Sequence, residues 1–308
     1  MKVAQFFIDC GYKSGLGHLR RSLVLASSLR ERGIDCKIYI TSTIGDNIID
    51  QYGFDYQLVE NYSSKKVDIS IIDGNNFTDF QIETWSNNAG CFCVTDDNGL
   101  SPIKCDIIIN TNLYAESVCY SSYDYKLSIC GPKYHLVAQE FFIEKSSHCK
   151  LYDYIISFGG TDDGSLAGPI IKKMIEKTSK SIVWVVPEHI KPLKYIVAMA
   201  EENKNFIIEI GANVPKFLAQ AKCYIGGAGT MVLEAHAAGC QIVACSIVPD
   251  QKRNINYLAQ NNVRAFNKYD VDVLVDAAIS PIGLNNALKK LDVNAPTKIA
   301  DLIIKELE

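Results

Sequence analysis

Asp9-Cys-Gly-Tyr-Lys-Ser-Gly-Leu-Gly-His-Leu-Arg-Arg21 is the stretch that decides the fold. Before it, Val3 to Ile8 is an apolar run of buried-strand length. After it, the leucines and alanines of Ser22 to Arg32 repeat at helical spacing, and Gly33 follows as a C-cap residue. The stretch is therefore a strand-to-helix crossing, with the helix expected over about 19–32. Gly11, Gly15 and Gly17 let the chain turn tightly and let a ligand approach the backbone. The first amides of the helix favour an anion. His18 stands at the helix start, followed by Arg20 and Arg21.

Working outward, the same alternation recurs. Strands are expected at 36–41, 67–73, 91–96 and 106–110, with helices at 46–52 and 79–87 between them. A polar, aperiodic stretch, Glu144 to Lys150, marks a domain boundary. The pattern then restarts. Strands are expected at 154–158, 182–186, 206–210, 223–225 and 241–246, helices at 166–177, 191–202, 214–220, 231–238 and 250–261, and two more helices in the tail. Strands alternating with helices imply parallel βαβ units. The expected fold is α/β, with two doubly wound Rossmann-type domains, 1–148 and 149–308, facing a central cleft. Ligands of such sheets bind beyond the carboxyl ends of the strands. Asp9, Asp73, Asp96, Asp97, Asn110 and Asn112 all fall near such ends.

Composition narrows the class. The 308 residues are 48% hydrophobic and 21% charged, with a formal net charge of −4. That balance gives no basic patch for nucleic acid. No apolar run approaches the roughly 20 residues of a membrane helix. The N-terminus does not read as a signal peptide. The eleven cysteines are scattered, several inside apolar runs, as in a reducing compartment. A cytoplasmic location is expected. No His/Cys/Asp cluster has metal-ligand spacing. Oligomeric state is not readable from composition.

Two glycine turns mark the second half. Gly226-Gly-Ala-Gly-Thr230 lies between a strand and a helix, without the ending of a P-loop. Its amides suit a diphosphate, Thr230 can add a hydroxyl, and Glu234 one turn later can accept ribose hydroxyls. The spacing is equally met by an ordinary glycine turn with a solvated glutamate. Ser157-Phe-Gly-Gly-Thr-Asp162 is a second rim turn, and Pro249-Asp-Gln-Lys252 adds carboxylate and amide groups. His18, placed by two glycines on a rim loop, is the expected general base. His135, His148, His189 and His236 sit in less telling settings.

These residues together resemble a known family. Gly15-Leu-Gly-His-Leu-Arg-Arg-Ser-Leu-Val-Leu-Ala26 is similar to the signature of the nucleotide-sugar hydrolases of pseudaminic acid biosynthesis and their spore-coat polysaccharide relatives. The likeness continues through Thr95-Asp-Asp97, Cys105 to Asn112, Gly131-Pro-Lys-Tyr134, Gln139-Glu-Phe141, Ser157 to Asp162 and Gly226 to Glu234. The resemblance implies a GT-B-like fold and hydrolysis of UDP-2,4-diacetamido-2,4,6-trideoxy-β-L-altropyranose to the free sugar and UDP. It implies His18 as base for water attacking the anomeric carbon with inversion, with no cofactor and no metal. The sugar is expected near Gly15, Gly17, Arg21, Asp73 and Asn75 of the N-terminal domain, and near Gly159, Gly160, Asp250 and Gln251. The nucleotide is expected on Gly227, Ala228, Gly229, Thr230 and Glu234 of the C-terminal domain. A GT-B glycosyltransferase with a sugar or lipid acceptor is the alternative.

Three positions depart from that family. An Asp-x-Tyr after the third strand is here Asp73-Gly-Asn75. A Gly-x-Pro is here Gly239-Cys-Gln241, and an Asn-Gln is here Asp250-Gln251. The changes bear on the sugar more than on the phosphate cradle.

Overall fold

The computed structural model describes residues 1–11, 14–99, 103–142, 150–211, 213–280 and 288–308. The chain forms two compact units, Met1–Ala138 with Asp292–Glu308, and Gln139–Leu291. Each is built on one parallel sheet.

In the first unit the strands are β1 (Val3–Ile8), β2 (Asp35–Ile40), β3 (Tyr56–Leu58), β4 (Val67–Asp73), β5 (Ala89–Thr95), β6 (Ile107–Asn110) and β7 (Leu127–Cys130). Their order is β3-β2-β1-β4-β5-β6-β7, all parallel. Both faces are covered, which is why β1 and the second half of β4 are buried on successive residues, Gln5 and Ser70 included. Phe6 and Ile8 point into a core with Leu19, Leu23 and Leu29 of helix α1 (Gly17–Arg30), while Phe7 stacks on Trp85 of α3 (Asp79–Asn87) on the opposite face. A short α2 (Asp46–Gln51) links β2 to β3. Helix α1 ends two residues before the expected Arg32. Gly33, at φ +78°, donates to Arg30 O, and Ile34 donates to Leu29 O, so the glycine closes the end as a left-handed cap.

The second unit carries β8 (Tyr152–Ser157), α4 (Ala167–Lys177), β9 (Ile182–Val186), α5 (Lys194–Glu202), β10 (Phe206–Ile210), α6 (Val214–Gln220), β11 (Ala221–Gly227), α7 (Met231–Ala237), β12 (Gln241–Cys245), α8 (Lys252–Gln260), β13 (Arg264–Phe266) and α9 (Val271–Ile279). The sheet order is β10-β9-β8-β11-β12-β13. Trp184, Met174, Ile170 and Leu274 are among its fully buried core side chains.

The expected domain limits are corrected at both ends. The tail was expected in the second domain, but α10 (Ala295–Lys305) belongs to the first unit. Its Ile299, Ala300 and Ile303 are fully buried in the same core as the α1 leucines. The boundary expected at 148 falls instead between Ala138 and Gln139. The strands β3, β7 and β13 were not anticipated, because three or four residues are too few to show a periodicity.

In each sheet one strand is the point from which the chain winds both ways. The crevice beyond the carboxyl ends lies between β1 and β4 in the first unit and between β8 and β11 in the second. The second crevice is held shut at its base. Tyr224, fully buried on β11, directs its hydroxyl at Ser157 O and Gly227 O, 3.1 Å from each. A Cβ at Gly226 would overlap both the Ser157 carbonyl and that hydroxyl. Gly226→Ala should therefore lower stability by about 2–3 kcal/mol through overpacking, read as a reduced Tm. An unchanged Tm would show that this junction relaxes freely.

Candidate functional site

The loop after β1 is closed on itself. Gly15 N–H donates to Gly11 O at 2.8 Å and Gly11 N–H to Gly15 O at 3.3 Å, with Gly15 at φ +71°. This small bridge delivers the chain into α1, whose N-cap residue Leu16 makes no side-chain capping bond. His18, Arg21 and Ser22 then stand three and four residues apart, on one helix face. All three converge on Asp73, the last residue of β4.

Asp73 is 2% exposed and accepts four hydrogen bonds. His18 Nδ1 lies 2.7 Å from Oδ1. Arg21 donates Nε to Oδ2 at 2.7 Å and Nη2 to Oδ1 at 2.5 Å, and Ser22 Oγ donates to Oδ2 at 2.9 Å. The third guanidinium nitrogen, Nη1, meets both oxygens of Asp97 at 2.9 and 3.0 Å. Asp97 also accepts from Asn112 Nδ2 at 2.7 Å. On the neighbouring loop, buried Asp9 accepts from Asn76 Nδ2 at 2.7 Å, and its own N–H donates to Asp73 O.

The electrostatics follow from this packing. Burial disfavours the Asp73 anion, but Arg21 and His18 more than offset it, holding the carboxyl well below the usual range. Burial likewise disfavours the Arg21 cation, and the two carboxylates push its pKa further up. For His18, burial lowers the pKa, Asp73 raises it and Arg21 opposes; the net shift is upward. The imidazole remains 19% exposed, so one edge reaches solvent while Nδ1 is engaged inside. Such a pairing can orient an imidazole, leave Nε2 as proton acceptor and stabilise the imidazolium that forms.

Arg21, expected to meet substrate, is 6% exposed and has every guanidinium nitrogen on a carboxylate. Its place is behind His18. Asn75 is exposed, whereas its neighbour Asn76 holds Asp9. Gly74, at φ +144°, is required there because a Cβ would overlap the Asp9 side chain.

In the second unit, the turns after β8 and β11 flank the crevice. Gly159, at φ +97°, is exposed with open space around it, and Gly160 O accepts from His189 Nε2 at 2.9 Å. Asp162 is buried and caps α4, accepting from the amides of Gly164, Leu166 and Ala167. Ala228, expected among the nucleotide-binding residues, is fully buried and donates its N–H to Cys245 O at 3.0 Å, so that amide is engaged within the unit. The turn therefore offers Gly229 and Thr230 at the head of α7, with Gly227 beneath. Gln251 Oε1 accepts from Ile247 N at 3.0 Å, and its Nε2 lies beside Gly229 and, with the Ile247 side chain, against buried Gly227. Asp250 is exposed. Glu234 is buried, not solvated as one reading of the turn had it.

The remaining histidines lie elsewhere in their units. His135 is fully buried, its Nδ1 accepting from Val137 N at 3.4 Å, and His236 Nε2 pairs with Lys289 O. His148 lies outside the described residues, as does Ala212. The ten described cysteines are free thiols. Among the described residues no cluster of three or more His, Cys, Asp or Glu could hold a metal ion, and no helix is long and apolar enough to cross a membrane. Asp97 and Asn112 are among the polar residues expected at the strand ends, whereas Ser22 and Asn76 carry no such expectation. The signal for Ser22 is in the spacing: residues 18, 21 and 22 are polar and share one face of the helix.

No protein-family model matches the chain. Among curated proteins it is similar to the UDP-2,4-diacetamido-2,4,6-trideoxy-beta-L-altropyranose hydrolase of Campylobacter jejuni, 27% identical over 278 residues, covering 87% of this chain and all of that one. Among solved structures it resembles S. aureus MnaA in complex with UDP, with a TM-score of 0.66 at 11% identity over all of this chain and 97% of that one. A glycosyltransferase from Rickettsia africae gives 0.64 at 11% identity, over 99% and 98%. The fold is GT-B-like, and the expected resemblance to the hydrolase runs through most of the chain.

The buried charges make the first constellation testable as structure. Asp73→Ala leaves the Arg21 cation without its main partner and should cost about 3–5 kcal/mol, measured by urea unfolding at pH 7. Because the folded Asp73 pKa is depressed, its contribution is present above the unfolded carboxyl value of about 3.9 and is lost as pH falls below it. The variant should therefore show a flatter acid limb than the parent. Equal stability of the two at pH 7 would contradict the arrangement.

Proposed function

We propose that the chain is a nucleotide-sugar hydrolase that releases a free di-N-acetylated deoxy sugar and UDP, in the making of a surface glycan of the nonulosonic acid type. The observation that carries the reading is the His18–Asp73 pair, 2.7 Å apart at the switch point of the first sheet, with the imidazole edge still open to solvent. Similarity to the Campylobacter hydrolase along 87% of the chain supports the substrate class.

In this reading His18 Nε2 takes a proton from water as the water oxygen attacks the anomeric carbon. The bond from that carbon to the diphosphate oxygen breaks, the electron pair leaves with UDP, and the configuration inverts. Asp73 stabilises the imidazolium so formed. Gly15 and Gly17 keep side chains away from the sugar. In the second unit, Gly229 and Thr230 receive the diphosphate at the start of α7. Glu234 takes the ribose hydroxyls, and Gln251, with Gly159 and Gly160, faces polar groups of the substrate. Asn75 and Asp250, both exposed and both departing from the family pattern, are the positions that tune the choice of sugar.

A transferase on the same scaffold is the second reading. It is favoured by the glycosyltransferase neighbours and by Phe80, 78% exposed in the first turn of α3 next to the Asp73–Asn76 loop, where an apolar acceptor could rest.

The purified protein incubated with UDP- and CMP-sugars should release nucleotide in water alone, and His18→Ala should reduce kcat by about 10²–10⁴-fold. Release only when a sugar or lipid acceptor is added would replace the hydrolase with the transferase. Because His18 must be unprotonated to act and its pKa is raised, kcat should climb with pH through an inflection above about 6.5. A flat profile across that range would remove His18 as base. Glu234→Gln should weaken UDP binding by about tenfold or more, the worth of a charge-assisted hydrogen bond; an unchanged Kd by calorimetry would remove the ribose assignment.

A further inference from the structure

His18 Nδ1 has two neighbours that ask opposite things of it. Asp73 Oδ1, at 2.7 Å, can only accept and so calls for a proton on Nδ1. Arg21 Nη2, at 2.9 Å, can only donate and so calls for a lone pair there. The first arrangement leaves Nε2 bare and able to take a proton. The second puts the proton on Nε2 and leaves no base at the exposed edge. Which one holds depends on where the guanidinium points.

Asp97 decides that. It stands after β5 and grips Nη1 through both carboxylate oxygens, at 2.9 and 3.0 Å. With Nη1 so fixed, the planar fork lays Nε and Nη2 along the two oxygens of Asp73. Asp97 is itself held by Asn112 Nδ2, and Asn110 Nδ2 and Tyr114 Oη donate to its backbone carbonyl at 3.2 and 3.0 Å. Four residues thus converge, through five hydrogen bonds, on one loop residue that makes no hydrogen bond to His18.

We propose that Asp97 is a positioning residue which, through Arg21 and Asp73, keeps His18 in the tautomer with the proton on Nδ1 and the lone pair on Nε2. This deepens the reading of His18 as the base. The charged groups that act on the imidazole are Arg21 from its own helix, Asp73 from β4 and, from a greater distance, Asp97 from the loop after β5. Their signs give a two-way expectation. Losing the Asp97 charge removes a raising influence and leaves Arg21 undivided against the imidazole, so the His18 pKa falls. Losing the Arg21 charge removes the lowering influence, so it rises.

The test is long-range ¹H–¹⁵N NMR of the histidine side chains in the full chain, titrated with pH, with His18 assigned by its absence in His18→Gln. No substrate is needed, so the result stands apart from whether the protein hydrolyses a nucleotide sugar. The parent should show neutral His18 protonated at Nδ1. Asp97→Asn should shift population toward the form protonated at Nε2 and lower the pKa by about one unit; Asp97→Glu, which keeps the charge, should return both toward the parent. Arg21→Met should raise the pKa. Should that variant not fold, the Asp97 pair alone decides. A parent protonated at Nε2, or an Asp97→Asn spectrum with tautomer and pKa unchanged, would overturn the proposal.

Discussion

The first unit depends on one buried anion. Asp73 sits at the end of a strand with 2% of its surface exposed, where an unpaired carboxylate would be very costly. Three side chains of α1 meet it, and they can do so only because they stand three and four residues apart on one face. The demand propagates outward. The loop after β1 must bring α1 to the right height, and the Gly11–Gly15 bridge does this. The chain after Asp73 must turn without touching Asp9, and Gly74 does this. Arg21 brings a charge of its own, and Asp97 answers it. Each group is polar and buried because the next one is.

The second unit meets the same topology with neutral means. Its crevice is lined by glycines, backbone carbonyls and amides, and pinned from below by the Tyr224 hydroxyl. The one buried aspartate of its first turn, Asp162, is committed to capping α4. Two sheets of like winding therefore present different chemistry at their switch points. One has a charged relay ending in an imidazole; the other has a polar turn heading a helix.

Much of this was legible in the residues. The alternation of apolar runs with helical spacing is strong where both faces of a sheet are covered, so β1, β4, β8 and β11 could be placed along with the glycine turns that follow them. The edge strands β3, β7 and β13 could not, being too short to carry a pattern. The tail helix α10 was assigned to the wrong unit because its amphipathic stripe says that it packs, not what it packs on. In the site, His18 and Asp73 were visible as rim residues. Arg21 was misread as a substrate contact because an arginine beside a rim histidine looks the same whether it faces a ligand or a neighbouring carboxylate. Asp97 lies 76 residues further along, and only the strand order brings it to Arg21. Ala228 was misread for a related reason: a glycine-rich turn does not reveal which of its amides the sheet has already claimed.

The central claim is that water, activated at His18, attacks the anomeric carbon. It is tested most directly by running the reaction with a UDP-sugar in H₂¹⁸O and examining both products by mass spectrometry. The account predicts one ¹⁸O in the released sugar, at the anomeric hydroxyl, and none in UDP. Label in the β-phosphate of UDP would contradict it, because water would then have attacked phosphorus and the sugar carbon would never have been the reacting centre.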